Sequence, residues 1–294
     1  MTTAAVHIAD VISLPTGARS PWKWVGGKRQ LLPVLREHVP VFKRYFEPFA
    51  GGAALFFDLA RDMGPKKDWA ILGDANKSLI TAYRCIRDDV SELIMQLRGM
   101  ERSHLRRKEK FFYELRDDEP TSGMETAARF IALQKLSFNG VYRVNLAGKY
   151  NVPYGKWTTI PKVCDESNLR ACAKVLRNVR IQHGDFEAIV DGMGLYPRAG
   201  KGDFVYFDSP YVPVGGAADF TTYTAGGFGL EDHERLRDVA LRLKKRGVHV
   251  LLSNADVPLV RKLYRGFSLK KVQARRNVNS KATHRGPVAE LLIS

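Results

Sequence analysis

Tyr45-Phe46-Glu47-Pro48-Phe49-Ala50-Gly51-Gly52-Ala53 begins as a short buried strand, turns on a pair of glycines and leads into the helical apolar spacing of Ala54 to Arg61. A second short strand, Trp69-Ala70-Ile71-Leu72, ends at Gly73-Asp74, and helical spacing returns over Lys77 to Arg87. Strand, helix, strand, helix is the rhythm of a parallel sheet covered by helices. The glycines allow close backbone approach by a ligand, and Asp74, 23 residues beyond Gly51, stands where an acid accepts ribose hydroxyls in a nucleoside-binding half-site. Ala53 breaks the G-x-G-x-x-G pattern, which disfavours a pyrophosphate cradle and NAD with it. A small-residue turn that merely lets a helix pack is the competing reading.

Upstream, Gln30 to His38 has helical spacing, and residues 1–19 read as a loose N-terminal extension. Downstream, residues 88–161 are charge-rich and helical before a segment rich in Gly, Asn and Tyr, Phe138 to Trp157, with little core content. Strands resume at Arg180-Ile181-Gln182, Phe204-Val205-Tyr206-Phe207, Val248 to Ser253 and Ala289 to Ile293. The sheet is therefore predicted to be split around an insert. The predicted organisation is a catalytic domain over residues 20–76 and 166–294, with an insert over 77–165 that carries a hairpin at 138–155.

With 294 residues, 45% hydrophobic and 27% charged, the chain has the composition of a folded protein with a sizeable core. Its 47 lysines and arginines against 31 acids give a net charge of +16, which makes a polyanion such as nucleic acid the leading partner class. Cys85, Cys164 and Cys172 form no C-x-x-C pair and read as buried apolar filler in a cytoplasmic protein without a metal site. Met1 to Ala9 lacks a basic segment before an apolar run, and no stretch of about 18 apolar residues is present, so neither a signal peptide nor a membrane span is expected.

Phe207-Asp208-Ser209-Pro210-Tyr211 places an acid, a proline and an aromatic at the carboxyl end of a buried strand, where open α/β sheets hold their ligands. Pro210 biases Ser209 toward an extended backbone, fixing where the Asp208 and Ser209 carbonyls point. A carboxylate and a rigid carbonyl accept two N–H bonds, the arrangement needed to hold and polarise the exocyclic amine of a nucleobase. Tyr211 offers a stacking face. A strand-end turn capped by Asp208 is the plainer alternative.

Trp22-Lys23-Trp24-Val25-Gly26-Gly27-Lys28 lacks the Ser or Thr and the glycine spacing of a phosphate loop, so ATP is not the reading. Two tryptophans and two lysines around a Gly-Gly turn suit an aromatic and cationic grip on a ligand that carries a carboxylate. In the Phe138 to Gly155 segment, Asn139-Gly140 is a tight-turn signal. Tyr142, Arg143 and Asn145 are residue types that wedge into a duplex, read guanine and bond phosphate. Between Arg261 and Arg285 lie Lys262, Arg265, Lys270, Lys271, Arg275, Arg276 and Lys281 without one acid, which reads as phosphate contact or as a solvated face. Arg106-Arg107-Lys108 is followed by Glu109 and Glu114 at helical spacing and is assigned no role.

Together these blocks resemble the DNA adenine-N6 methyltransferases of the Dam type, a D12-class, alpha-group family of amino methyltransferases. The resemblance runs from Pro21 to Ile293 and includes Phe138-Asn139-Gly140-Val141-Tyr142-Arg143-Val144-Asn145, Tyr150-Asn151-Val152-Pro153-Tyr154-Gly155, Gly184-Asp185-Phe186, Phe220-Thr221-Thr222-Tyr223, Leu252-Ser253-Asn254 and Arg275-Arg276-Asn277-Val278-Asn279-Ser280. It implies an α/β fold: a class I Rossmann-like, S-adenosylmethionine-dependent methyltransferase with an inserted, mostly helical target-recognition domain.

By the same resemblance, S-adenosylmethionine would be held by Trp24, Lys28, Glu47, Phe49, Gly51, Asp74, Asp185 and Asp208. A flipped adenine would sit at Asp208, Ser209, Pro210 and Tyr211. Ser209 departs from the family's usual D-P-P-Y but keeps the backbone carbonyl. Arg143 would read a guanine, Phe138 and Asn139 would enter the duplex, Val141 and Pro153 would touch a thymine methyl, and Lys23 would meet the outer base pair. Asn145, Asn151, Arg275, Arg276 and Asn279 complete the expected contacts to double-stranded DNA. GATC is the implied target, although Val141 stands where leucine is commoner. The expected protein is a monomer that needs no metal, in the cytoplasm of a bacterial or phage-infected cell. The alternatives are a methyltransferase acting on protein glutamine or RNA, and a catalytically dead DNA-binding protein.

Overall fold

The computed structural model describes residues 17–63, 66–192, 197–213, 227–275 and 287–294. Seven strands form one sheet: β1 (Tyr45–Glu47), β2 (Ala70–Asp74), β3 (Val179–His183), β4 (Phe204–Phe207), β5 (His249–Ala255), β6 (Leu269–Arg275) and β7 (Pro287–Ile293). Their order is β3-β2-β1-β4-β5-β7-β6. The first five pair in parallel, and β7 enters antiparallel between β5 and β6. Strands of a sheet covered on both faces read as unbroken apolar runs, and all four residues of β4 are buried.

Alternate residues on the strands feed two apolar clusters. Tyr45, Leu72, Phe204, Tyr206 and Leu251 enter one, and Phe46, Ile71, Val205, Phe207 and Leu252 enter the other. On the first face lie α2 (Ala54–Leu59), α3 (Lys77–Asp88) and α6 (Glu166–Leu176). On the second lie α7 (Phe186–Asp191), α8 (Leu230–Lys245) and α9 (Pro258–Leu263). A short α1 (Leu32–Arg36) precedes β1.

Between α3 and α6 run α4 (Val90–Asp117) and α5 (Gly123–Leu136). Asp89 caps α4 by accepting from the Glu92 amide, and Ser122 with Glu125 closes a capping box on α5. The α4 path breaks at Lys108, whose φ is 46°. Arg107 pairs with Glu114, the ordinary surface partnership that the spacing suggested. Helix α3 is shared: its buried residues Leu79, Ile80, Ala82, Tyr83 and Ile86 join the cluster that also holds α5.

Three details differ from the sequence expectations. The chain is anchored from Ala18 onward, because Ala18 is buried and Arg19 exchanges two backbone hydrogen bonds with the Asn168 side chain. Strand β6 lies in the stretch read only as a basic face. It is an edge strand, and exposed Lys270 and Lys271 suit an edge that must not pair with another chain. Finally, Asn139-Gly140 forms its tight turn, with φ of 55° and 64° and Val141 N donating to Phe138 O at 3.3 Å, but this turn steps the chain off α5. The hairpin itself reverses at Asn145 to Gly148. There Asn145 Oδ1 accepts from the amides of Ala147 and Lys149, both at 3.0 Å.

Cys164 and Cys172 are buried and Cys85 is half-buried. Burial pushes the Cys172 thiol up to about 12, which keeps it protonated and unreactive.

Candidate active site

Strand order reverses between β1 and β4, and in open α/β sheets the crevice beyond the carboxyl ends at such a reversal is where ligands bind. The chain leaves β1 into Glu47 to Ala53 and leaves β4 into Asp208 to Tyr211, so the two sequence-predicted turns are neighbours by topology. Lys28, in the 3₁₀ turn Lys28–Leu31 just after Gly26-Gly27, is 5% exposed and reaches Asp208 Oδ1 at 2.7 Å. It also donates to Gly26 O at 2.5 Å and lies 4.8 Å above the centre of the Tyr211 ring.

Asp208 Oδ1 accepts a second bond from Ser253 Oγ at 2.9 Å, and Ser253 lies 3.0 Å from the Tyr206 hydroxyl. Since the Ser253 proton is committed to the carboxylate, Tyr206 is the donor to Ser253. Among the described residues Asp208 Oδ2 takes no hydrogen bond. One oxygen is thus anchored by a cation and a hydroxyl, and the other is left for a ligand. Tyr211 is held in place by donating to Glu290 Oε2 at 2.8 Å, and burial raises its phenol well above the ordinary range, so it stays a donor. Ser209 is buried. Asn254 Oδ1 accepts from Val212 N and Ala255 N, tying the turn that follows Pro210 to β5.

On the β1 side Glu47 is enclosed, accepting from the Tyr45 hydroxyl at 2.8 Å. Burial pushes its carboxyl up to about 8, against the stabilising Tyr45 bond. Phe49 stacks on Phe186 at 5.3 Å and meets the edges of Phe207 and Phe228, forming an aromatic wall. Gly51 N donates to Asp74 Oδ2 at 3.0 Å and Asn76 N to Oδ1 at 2.9 Å, while burial raises the Asp74 carboxyl. Gly51 has a φ of +46°, and a Cβ there would lie 2.6 Å from the Trp24 indole, so no other residue fits this approach. Asp185 caps α7 and pairs through both oxygens with Arg235 at 2.8 Å. Although burial opposes ionisation, the Arg235 bonds hold its carboxyl below the usual range.

The Trp22 to Lys28 block is used differently from the grip expected. Trp22 is core, packed on Tyr83 and Phe130, and Lys28 turns inward because the chain itself supplies a carboxylate at Asp208. Trp24 is half-exposed, lying against Gly51 and stacked at 5.8 Å on Tyr142 of the hairpin.

Lys23, Phe138, Asn139, Arg143, Asn145 and Pro153 are exposed, and Val141 and Asn151 are half-buried. Arg143 is fixed by Nε donating to Asn151 Oδ1 at 2.7 Å and Nη2 to Asn151 O at 3.3 Å, which leaves Nη1 free for a ligand. Phe138 N donates to Pro153 O, and Leu136 O accepts from Gly155 N and Trp157 Nε1, so the hairpin base is bonded to the end of α5. Arg276 and Asn279 lie outside the described residues, as does Phe220 to Tyr223; Arg275 ends β6. In the basic stretch Arg261 and Lys271 share Asp256, and Lys270 reaches Glu37, so these three charges already have acidic partners. Among the described residues no group of three or more His, Cys, Asp or Glu is arranged to hold a metal, and no helix is long and apolar enough to cross a membrane.

Ser253, Asn254, Tyr206, Glu290 and Arg235 were not singled out as site residues in the sequence. Ser253 and Asn254 stand in the quoted Leu252-Ser253-Asn254 block. Only the parallel register that sets Phe207 beside Leu252 reveals that they support the Asp208 turn.

A sequence profile of the D12 class N6 adenine-specific DNA methyltransferases matches residues 24–278. The type II methyltransferase M.MjaIII of Methanocaldococcus jannaschii is 40% identical over 288 residues, covering 92% of this chain and 96% of that protein. The type II methyltransferase M1.LlaDCHI of Lactococcus lactis subsp. cremoris is 39% identical over 281 residues, covering 92% and 93%. The DNA adenine methylase of Escherichia coli K12 is 31% identical, covering 92% of each. With a sheet that reverses at the Asp208 crevice and a family match over most of its length, the chain belongs to the D12 class of N6 adenine-specific DNA methyltransferases.

Proposed function

We propose that this enzyme uses S-adenosylmethionine to methylate N6 of an adenine extruded from duplex DNA, within GATC. The observation that carries the reading is the Asp208 carboxylate: Lys28 and Ser253 anchor Oδ1, no described residue bonds Oδ2, and the same Lys28 lies 4.8 Å above the centre of the Tyr211 ring. The residues present fit the donor: the Gly51 turn is closed on one side by Trp24, Asp74 is the acid beyond the second strand, and Phe49 and Phe186 offer an aromatic wall. Trp24, Lys28, Glu47, Phe49, Gly51, Asp74, Asp185 and Asp208 would line its site. When bound, the donor supplies an electrophilic methyl carbon on a cationic sulfur.

The chain's own residues do the rest. A paired adenine keeps its amine inside the helix, so the base must leave the stack, at a cost of a few kcal/mol. Phe138 and Asn139, exposed at the hairpin base, are suited to fill the gap. Tyr211 stacks on the extruded base. Asp208 Oδ2 and the Ser209 carbonyl accept the two N–H bonds, aiming the nitrogen lone pair along the line of attack. Asp208 orients the amine without removing a proton first, because the nitrogen gives up its proton readily once methylated. Arg143, pre-set by Asn151, offers Nη1 to a guanine edge, and Val141 and Pro153 offer apolar contact to a thymine methyl. Lys23 meets the outer pair, and Asn145, whose Oδ1 is committed to its turn, has Nδ2 left for a phosphate. Arg275, Arg276 and Asn279 add contacts to the duplex.

Labelled S-adenosylmethionine offered with duplex DNA, RNA and protein extract tests this directly. Label in DNA supports the reading, whereas label only in protein or RNA overturns it. A protein that binds DNA, transfers nothing, and gains transfer on Ser209→Pro substitution would be a silent homologue.

A further inference from the structure

The exposed Lys23 and the exposed Phe138-Asn139 edge come from segments more than a hundred residues apart in sequence, yet they are fastened together by one buried side chain. Gln134, on the last turn of α5, is 2% exposed. With its amide nitrogen facing the seam, it donates to Lys23 O at 3.3 Å and to Gly140 O at 2.8 Å. Gly140 has a φ of +64°, and a Cβ there would lie 3.1 Å from Lys23 Cβ and 3.2 Å from Gln134 O, so the two segments are as close as a glycine permits. The Trp24–Tyr142 stack flanks the same seam, one residue beyond Lys23 and two beyond Gly140.

Neither carbonyl has another hydrogen-bond donor among the described residues. Gly140 is buried, and a buried carbonyl without a donor is costly, so the seam would shift if the amide were removed. We infer that Gln134 is a specificity-positioning residue. It fixes the separation between Lys23 and the Phe138-Asn139 edge so that both meet one duplex in register, while touching neither the reacting atoms nor the DNA. This rests on the reading above that the edge faces DNA.

The test is Gln134→Met, which keeps bulk and loses the donor. The DNA site is first identified by sequencing what the parent methylates. The parent and variant are then compared by kcat/KM on duplexes carrying that site or a single-base change in it, with thermal unfolding and donor affinity measured alongside. We expect discrimination to fall about tenfold or more, which is the size of one base contact, with donor affinity within about twofold. Combined with Lys23→Ala, the variant should add little further loss, since both act through one contact. Should Gln134→Met fold poorly, Gly140→Ala loads the same seam from the hairpin side and should show the same loss of discrimination. A variant that melts earlier yet discriminates as well as the parent, or losses that sum fully with Lys23→Ala, would reduce Gln134 to a packing role. A parent that methylates no duplex DNA overturns the functional reading and this inference with it; an active parent whose variants keep full discrimination overturns the inference alone.

Discussion

Replacing Ser253 with alanine deletes one hydroxyl that serves two neighbours. Asp208 Oδ1 loses a bond of 2.9 Å but keeps Lys28 at 2.7 Å, so the carboxylate is not stranded. Tyr206, wholly enclosed, loses its partner at 3.0 Å, and an orphaned buried hydroxyl costs about 1–3 kcal/mol of folding free energy. The catalytic loss has a separate origin. A hydrogen bond to a charged group is worth about 1.5–3 kcal/mol. If Ser253 is what turns Oδ2 toward the amine, that energy is lost in orienting the amine, and kcat drops about 10- to 100-fold. The two effects separate in the double variant Ser253→Ala with Tyr206→Phe. Removing both partners restores much of the stability, because no hydroxyl is left bare, and leaves kcat low. Thermal unfolding and single-turnover methyl transfer at saturating DNA read the two quantities. A single variant with kcat within twofold of the parent, or a double variant that regains activity together with stability, would refute the assignment of Ser253 to Asp208 orientation.

Other outcomes follow from the same geometry. Asp208→Asn should fold, keeping a polar partner for Lys28, and lose at least about 100-fold in transfer, as when a single preorganised polar group is removed from an active site; near-parental turnover would contradict its role. Gly51→Ala forces a methyl to within 2.6 Å of the Trp24 ring at a φ of +46°, costing about 1–3 kcal/mol or displacing Trp24; unchanged donor affinity and tryptophan fluorescence would count against the Trp24 contact. Glu47 titrates near ~4.3 when unfolded and at about 8 when folded, so between these values the native state keeps a proton that the unfolded chain has lost. Its contribution is therefore intact in acid and is lost as pH rises toward 8, by up to ~1.4 kcal/mol per unit, and the stability gained by Glu47→Gln over the parent should grow from pH 5 to pH 8. Parallel stability profiles would contradict that. Arg143→Ala should relax choice at one guanine by about 1–3 kcal/mol in kcat/KM ratios; an unchanged site preference would remove it from readout.

The parallel half of the sheet was legible because Tyr45 to Glu47, Trp69 to Asp74 and Phe204 to Phe207 are short apolar runs ended by Gly, Asp or Pro. Burial on both faces leaves that signature in the residues themselves. Strand β6 was not legible, because an edge strand carries lysines that read equally as a nucleic-acid face. At the site, the residue types at Asp208 and Tyr211 announced their chemistry, but the partner of Lys28 did not. A lysine after Gly-Gly reads as facing a ligand until folding brings a carboxylate to it across 180 residues of chain. Ser253 and Gln134 were hidden for a related reason. Their importance lies in which neighbours they bond, and neither Ser nor Gln signals that by type or spacing. Asn139-Gly140 announced a tight turn and forms one at the end of α5, whereas the reversal at Asn145 to Gly148 carried no signal that was singled out.

The proposed chemistry needs a single crevice where a methyl donor meets an adenine taken from duplex DNA and held by Asp208. Its most direct test is single-molecule sequencing of plasmid DNA incubated with the purified protein and S-adenosylmethionine, beside the Asp208→Asn variant. The parent should leave N6-methyladenine in GATC and the variant none. Methylation on another base, or N6-methyladenine that persists without the Asp208 carboxylate, would contradict it.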